Sequence, residues 1–341
     1  MGRPAVSVVM AAHNARDFLE EAARSILAQT FGDLELILVL DGPTDGTESV
    51  ARAIAVTSSR VRLMEYWPNR GLPHALNRGV REARAAYVAR QDADDISEPD
   101  RLARQLEAVR TRSLDLAGTN FSWIDVQGRP LGANASFPES VDAAVRQGSF
   151  LFPHGSALFA REAFLRAGGY DERFFFTQDL ELWSRMARSG GQVGFLAKPL
   201  YRLRLGPASR LKSCYQRRYS ELVARAHFQG EDIGGEAAAL LKALSRERAQ
   251  LRELDADLRR RYCFRAANLA ARNGQVLAAL GYLRQAWHDP GPWTERLWRT
   301  ALAAGLLLAP SATAPDPDAV ILLGGKAHGC VRTCAATSTG K

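Results

Sequence analysis

The chain has 341 residues, 46% of them apolar and 24% charged, with a net charge of +8 at pH 7. That is enough apolar material for the core of two domains, or of one large domain with an extension, and it excludes a disordered or collagen-like chain. The basic balance points to an anionic partner without choosing among a phosphate, a nucleic acid and an acidic membrane surface.

In chain order, "VSVVM" (6–10) and "LELILVL" (34–40) are continuous apolar runs bounded by polar turns, which predicts strands buried on both faces of a parallel sheet. The first run passes straight into a charged helical pattern and reads as a strand, not as a leader peptide. Between the two runs, Phe18, Ala22 and Ile26, with Leu19, Ala23 and Leu27, recur every four residues and predict a helix. The pattern continues with a strand at 61–66, a helix at 72–84, a strand at 85–90 and a helix at 98–110 that has Pro99 in its first turn. Alternation of this kind predicts an open α/β sheet. Beyond residue 113 the spacing predicts two strands in "LDLAGTNFSWIDVQGRP", a short helix in "VDAAVRQG", a strand in "SALFA", a helix in "REAFLRAG", a helix over 178–188, and one or two strands up to "YRLRL". From about Arg210 the pattern is helical, with one hairpin-like pair joined at "NG". The expected division is a sheet domain over 1–205, a helical extension over 206–312 and a disordered tail over 313–341, where Ala, Pro, Gly, Ser and Thr lack periodicity.

No apolar run approaches the ~18 residues that span a bilayer. Cys214, Cys263, Cys330 and Cys334 are too scattered for a disulfide framework, so a reducing compartment is expected.

Ligands of open α/β sheets sit at the carboxyl ends of the strands. Three polar segments fall at such ends: "AAHNA", "DGPTDGT" and "QDADD". The second is also an ordinary turn sequence. The third is harder to explain by packing. A helix cap uses one acid, whereas Asp92, Asp94 and Asp95 are three within four residues. Clustered carboxylates repel, and a divalent cation such as Mg²⁺ or Mn²⁺ relieves them. The Gly-rich loops of dinucleotide-binding and P-loop proteins are missing, as are the G-x-S-x-G and H-E-x-x-H motifs.

The segments "VSVVMAAHNARDFLEEAARSILAQTFGDLELILVLDGPTDGT", "NRGLPHALNRGVREARAAYVARQDADDISEPDRLARQ" and "PHGSALFAREAFLRAGGYDERFFFTQDLELWSRMARSG" together resemble a family-2 glycosyltransferase of the GT-A fold, in unbroken order from about Ala5 to Tyr201. The resemblance implies a Rossmann-like, mostly parallel sheet with helices on both faces. It also implies inverting transfer of a sugar from a nucleotide-diphosphate donor, expected to be UDP-linked, to a hydroxyl acceptor. Carried onto this chain, Ala11, His13, Asn14 and Asp41 hold the nucleotide base. Asp92-Ala93-Asp94 is the D-x-D motif, with Asp94 the metal ligand and Asp92 nearer the ribose. Asp179 in "TQDLELW" is the general base, and Gln178 and His154 lie on the acceptor side. The chain departs from the family pattern at Leu40, which precedes Asp41 where a second acid is usual. It departs again at Arg204, where many relatives carry histidine. Arginine cannot ligate a metal but can grip a diphosphate.

The expected partners are a nucleotide-sugar donor and a saccharide or lipid-linked acceptor, not a nucleic acid. Seven basic residues between Arg202 and Arg225, against Glu221 alone, suggest contact with an anionic membrane. With the reducing compartment, the expected location is the cytoplasm, with peripheral attachment at the inner face of the plasma membrane as the option this stretch adds. Two other readings stand beside this one. A sugar-phosphate nucleotidyltransferase would need a Gly-rich basic loop after the first strand, which "AAHNARD" is not. The other is a non-catalytic binding protein on the same scaffold.

Overall fold

The computed structural model describes residues 2–206, 210–250, 255–287 and 318–324. Its heart is four parallel strands, β1 (Val6–Ala12), β2 (Leu34–Asp41), β3 (Val61–Tyr66) and β4 (Tyr87–Asp92), in the spatial order β3-β2-β1-β4. β1 and β2 are buried along their whole length, as continuous apolar runs require. Their residues alternate between two cores. Val9, Ala11, Ile37 and Val39 face one, and Val8, Met10, Leu36 and Leu38 face the other. The connections are α1 (Leu19–Leu27), α2 (Thr47–Thr57) and α3 (Leu72–Glu82). The sequence reading passed over α2 because it buries only Thr47, Ala51 and Ile54, too narrow a stripe to stand out.

β4 runs two residues further than expected. Met10 pairs with Gln91 and Ala11 with Asp92, so the ladder carries the first acid of "QDADD" to the carboxyl end of β1. Order reverses between β1 and β4, which makes this the crevice where ligands of such sheets bind.

The rest of the sheet is mixed. A two-residue strand β5 (Ile96–Ser97) and helix α4 (Arg101–Thr111) lead into β6 (Leu116–Ile124) and β7 (Pro130–Ala133). Helix α5 (Val141–Gln147), a 3-10 turn at His154–Ser156, β8 (Leu158–Ala160), α6 (Arg161–Arg166), α7 (Gln178–Arg188) and β9 (Val193–Arg204) follow. β8 is antiparallel to both β4 and β6, and β9 is parallel to β6. β9 is one strand, whose register slips where Pro199, with no N–H to give, faces Asn120.

The extension is helical where it is described: α8 (Arg210–Gln229), α9 (Gly234–Gln250), α10 (Asp255–Arg272) and α11 (Val276–Trp287). His227 of α8 is bonded to Ser184 of α7 at 2.7 Å and to Asp142 of α5 at 2.8 Å, which ties the extension to the sheet domain. α10 and α11 turn at Gly274, whose φ of 72° suits glycine.

The expectation of a disordered tail needs correction at 318–324. A tenth strand, β10 (Val320–Leu322), pairs antiparallel with β9, and Leu323 is fully buried. "AVILL" is a strand-sized apolar run embedded in a polar tail, and it covers an edge of β9 that would otherwise be open. The rest of the expected tail, including Cys330 and Cys334, lies outside the described residues. Among those residues, no helix is long and apolar enough to cross a membrane.

Candidate active site

The carboxyl ends of β1 and β2, with the loop into α3, frame a small pocket of about 200 Å³ lined by Ala11, Ala12, His13, Asp41, Asn69, Gly71, Leu72, Ala75 and Phe175. Asp41 is its anchor. Its carboxylate accepts the backbone N–H groups of Arg70 and Gly71, both at 2.8 Å, and its carbonyl accepts the Asn69 amide at 2.8 Å. His13 Nδ1 lies 2.9 Å from the same carbonyl. The loop 69–71 can close this tightly because residue 42 is glycine. At φ 58°, a Cβ there would stand 2.5 Å from Asn69 N. Three of the four residues expected at the base, Ala11, His13 and Asp41, therefore meet. Asn14 does not join them, since its side chain accepts from Thr44 N at 2.8 Å and braces the β2–α2 turn.

The acidic segment lies beside this pocket, and its three acids differ in environment. Burial pushes Asp92 up, but the charge and hydrogen bond of the Arg90 guanidinium 2.6 Å away, together with its other neighbours, hold it below the usual carboxylate range. Asp92 also accepts the N–H of Gly155, where a Cβ would meet Asp92 Oδ2 at 2.7 Å. Asp95 is buried and receives the Arg204 N–H at 2.7 Å, and burial together with its acidic neighbours raises it well above the usual range. Asp94 keeps its side chain open to solvent at the rim of a desolvating cleft. That cleft and the Asp92 charge push it up to about 6. Its carboxylate accepts from its own backbone N–H and from no other described residue.

This donor set suits a hard divalent ion. Among the described residues no group of three or more His, Cys, Asp or Glu could hold a metal alone. Mg²⁺ and similar ions are commonly held by one or two carboxylates plus phosphate oxygens. Asp94, unpaired and strained by like charge, and Asp92 beside it meet that requirement.

Arg204 is not in the crevice. Its side chain is 4% exposed and is bonded beneath the acidic loop, so the expectation that it grips a diphosphate is corrected. His154 is also turned inward. Its Nε2 lies 2.7 Å from the Tyr170 hydroxyl, and burial lowers its pKa to about 3, so it is neutral and orients Tyr170. Trp183 is 1% exposed and packs against Phe152 and Phe159, the core role its helical spacing suggests.

Asp179 lies in the first turn of α7, after Thr177 in a left-handed conformation (φ 64°). Burial raises its pKa, the helix-start N–H groups oppose that, and the Asp92 charge raises it further. The two carboxylates therefore share one electrostatic neighbourhood. Asp179 also lines a cavity of about 590 Å³ that α5, α7 and α8 share, with Phe150, Gln216 and Arg217 in its wall. Gln178 is buried next to it, with a side-chain oxygen that has no partner among the described residues. Glu181, two residues on, is held by Arg185 at 2.6 Å.

Sequence reasoning missed Arg90, Tyr170 and Tyr201, which ring the acids. Arg90 offered one signal, as the single charge closing the apolar run Ala85–Ala89. Tyr170 and Tyr201 offered none, because a buried tyrosine reads as core.

Residues 7–167 match the family model described as Glycosyl transferase family 2. EpsE of Bacillus subtilis (strain 168), named as a glycosyltransferase, is 33% identical over 205 residues, covering 59% of this chain and 73% of its own. TuaG of the same organism, named as a teichuronic acid biosynthesis glycosyltransferase, is 34% identical over 139 residues. That match covers 41% of this chain and 55% of TuaG, so the chain spans about half of that relative. The solved structure of the mannosyltransferase PcManGT from Pyrobaculum calidifontis, in complex with GDP-Man and Mn²⁺, superposes with a TM-score of 0.51. It is 20% identical and covers 90% of this chain and 88% of its own, a likeness of fold alone. The chain belongs to glycosyl transferase family 2 and is a glycosyltransferase with a GT-A sheet.

Proposed function

We propose that this chain transfers a sugar from a nucleoside-diphosphate donor to a hydroxyl of a saccharide or lipid-linked acceptor, with inversion, in the building of a cell-surface polysaccharide. The observation that carries this reading is the placement of Asp179. It feels the charge of Asp92 in the acidic segment and lines a cavity roomy enough for a sugar residue.

In this reading the base lies in the pocket of Ala11, His13 and Asp41, and the donor is a UDP-sugar, as the family resemblance implies. Asp94, with Asp92, would hold Mg²⁺ or Mn²⁺, which supplies charge neutralisation for the departing diphosphate. The Mn²⁺ in PcManGT supports such an ion. Arg90 holds Asp92 in place. Asp179 takes the proton from the acceptor hydroxyl, and its raised pKa makes it a better base than a solvated carboxylate. The acceptor enters through the cavity walled by Phe150, Gln216 and Arg217. The name of TuaG supports the polysaccharide role.

Peripheral attachment at the cytoplasmic face of the membrane is part of the proposal. Among the described side chains of that stretch, Arg202 is paired with Glu98, Arg225 with Glu231 and Glu236, and Arg204 is buried, while Arg217 and Arg218 are exposed.

A donor-hydrolysis panel of UDP- and GDP-sugars, with and without Mn²⁺, tests the reading. Metal-dependent release of UDP from one sugar is expected. Nucleotide release from no donor would leave the scaffold as a binding protein.

A further inference from the structure

Arg204 ends β9 beneath the acidic loop and uses its guanidinium in four directions. Nε–H donates to the Asp94 carbonyl at 2.6 Å, and Nη1 donates to the carbonyls of Asp125 and Val126, both at 3.0 Å. Nη2 donates to Glu21 at 2.7 Å, and the group lies 4.7 Å from the centre of the Phe18 ring. Its own backbone N–H is held by Asp95 at 2.7 Å, so two consecutive acidic-loop residues are fixed by one arginine.

The far end of this strut is fixed by the extension. Asp125 is fully buried in the β6–β7 turn, where its carboxylate accepts the N–H groups of Gln127 and Arg129 at 2.9 and 2.8 Å. The same carboxylate accepts the Tyr282 hydroxyl of α11 at 2.6 Å, and Val126 N–H donates to the Tyr262 hydroxyl of α10 at 3.2 Å. Apolar packing repeats the connection. Leu205, next to Arg204, shares a core with Leu131, Ala266, Ala270 and Ala279. The fork of a guanidinium is rigid and always charged, so it passes on the position of whatever holds it.

We infer that Arg204 is a positioning residue for Asp94, and that the α10–α11 hairpin sets it through the Asp125–Arg129 turn. The helical extension is thereby a working part of the donor side. This rests on the reading that Asp94 holds the metal. Partners that orient metal ligands from behind typically alter affinity ~10–100-fold when removed. Lysine at 204 would keep the charge, but one ammonium cannot serve an acidic-loop carbonyl, two turn carbonyls and Glu21 together.

The test uses the full chain, with Arg204→Lys and Tyr282→Phe. Amide hydrogen exchange without ligand is the first readout. Exchange in segments 92–96 and 125–129 should quicken in both variants, more so in Arg204→Lys, while β1 and β2 stay protected. A general loss of stability would instead quicken exchange across the sheet. The second readout is calorimetric titration of UDP with Mn²⁺, where Arg204→Lys should weaken binding ~10–100-fold and Tyr282→Phe should weaken it less. Should Arg204→Lys not fold, Tyr282→Phe carries both readouts. Unchanged exchange at 92–96 in the folded variants overturns the inference. Absence of metal-dependent binding in the parent overturns the metal reading instead, and the exchange result still decides whether the strut exists.

Discussion

Asp94 and Asp179 are both raised carboxyls, and the proposed function gives them different roles. Asp94 rises to about 6 because the cleft desolvates it and, second, because Asp92 stands beside it. Between the ordinary carboxylate value, about 4, and that raised value, the folded state binds more protons than the unfolded one. Stability without metal therefore falls as pH rises through this window. Asp94→Asn should remove that fall. Without metal, the variant should melt higher than the parent at pH 7 and match it near pH 4. The difference should be modest, because solvent reaches the side chain and screens it. Parallel melting-versus-pH curves would show that Asp94 carries no such strain. Asp179 is raised chiefly by burial. As a base it must be ionised, so the acid limb of the kcat/KM profile should lie above the ordinary carboxylate range, with activity rising as pH increases through it. An acid limb at or below that range would assign the base elsewhere. Glu181 is then a poor substitute, because Arg185 already holds it.

Among the elements, β10 changes most between sequence and structure. Val320 pairs with Leu196 and Leu322 with Gly194, and Leu323 closes the core above Val193. Leu323→Ala should cost about 2–5 kcal/mol, the usual range for a buried leucine, read as a lowered denaturant midpoint in chemical unfolding. A midpoint equal to the parent's would mean that β10 only rests on β9. The strand was illegible because composition over 313–341 averages its five apolar residues away. The long, strongly patterned elements were legible. The buried runs of β1 and β2 and the helix at 178–188 stand where periodicity puts them. The acidic segment was legible because packing gives no reason for three acids at a strand end. Arg204 was not, since its bonds run to carbonyls on β6–β7 and to the acidic loop, partners far apart in sequence that only the sheet brings together.

Over the whole molecule, the proposed function makes Asp179 the meeting point of a donor side and an acceptor side. The donor side is made by β1, β2 and β4, and its acidic loop is braced through Arg204 by α10 and α11. The cavity proposed for the acceptor is walled in part by α8, which His227 locks to α5 and α7. The extension thus reaches both sides, and the division at residue 205 is one of architecture more than of function. The central claim is that Asp179 acts on the acceptor and not on the donor. Asparagine starts a helix about as well as aspartate but cannot take a proton. The most direct measurement is single-turnover transfer by Asp179→Asn, with UDP and Mn²⁺ affinity measured on the same sample. Affinity within a few-fold of the parent, with transfer slowed roughly 10²–10⁴-fold, is the predicted result. Transfer within a few-fold of the parent would contradict it.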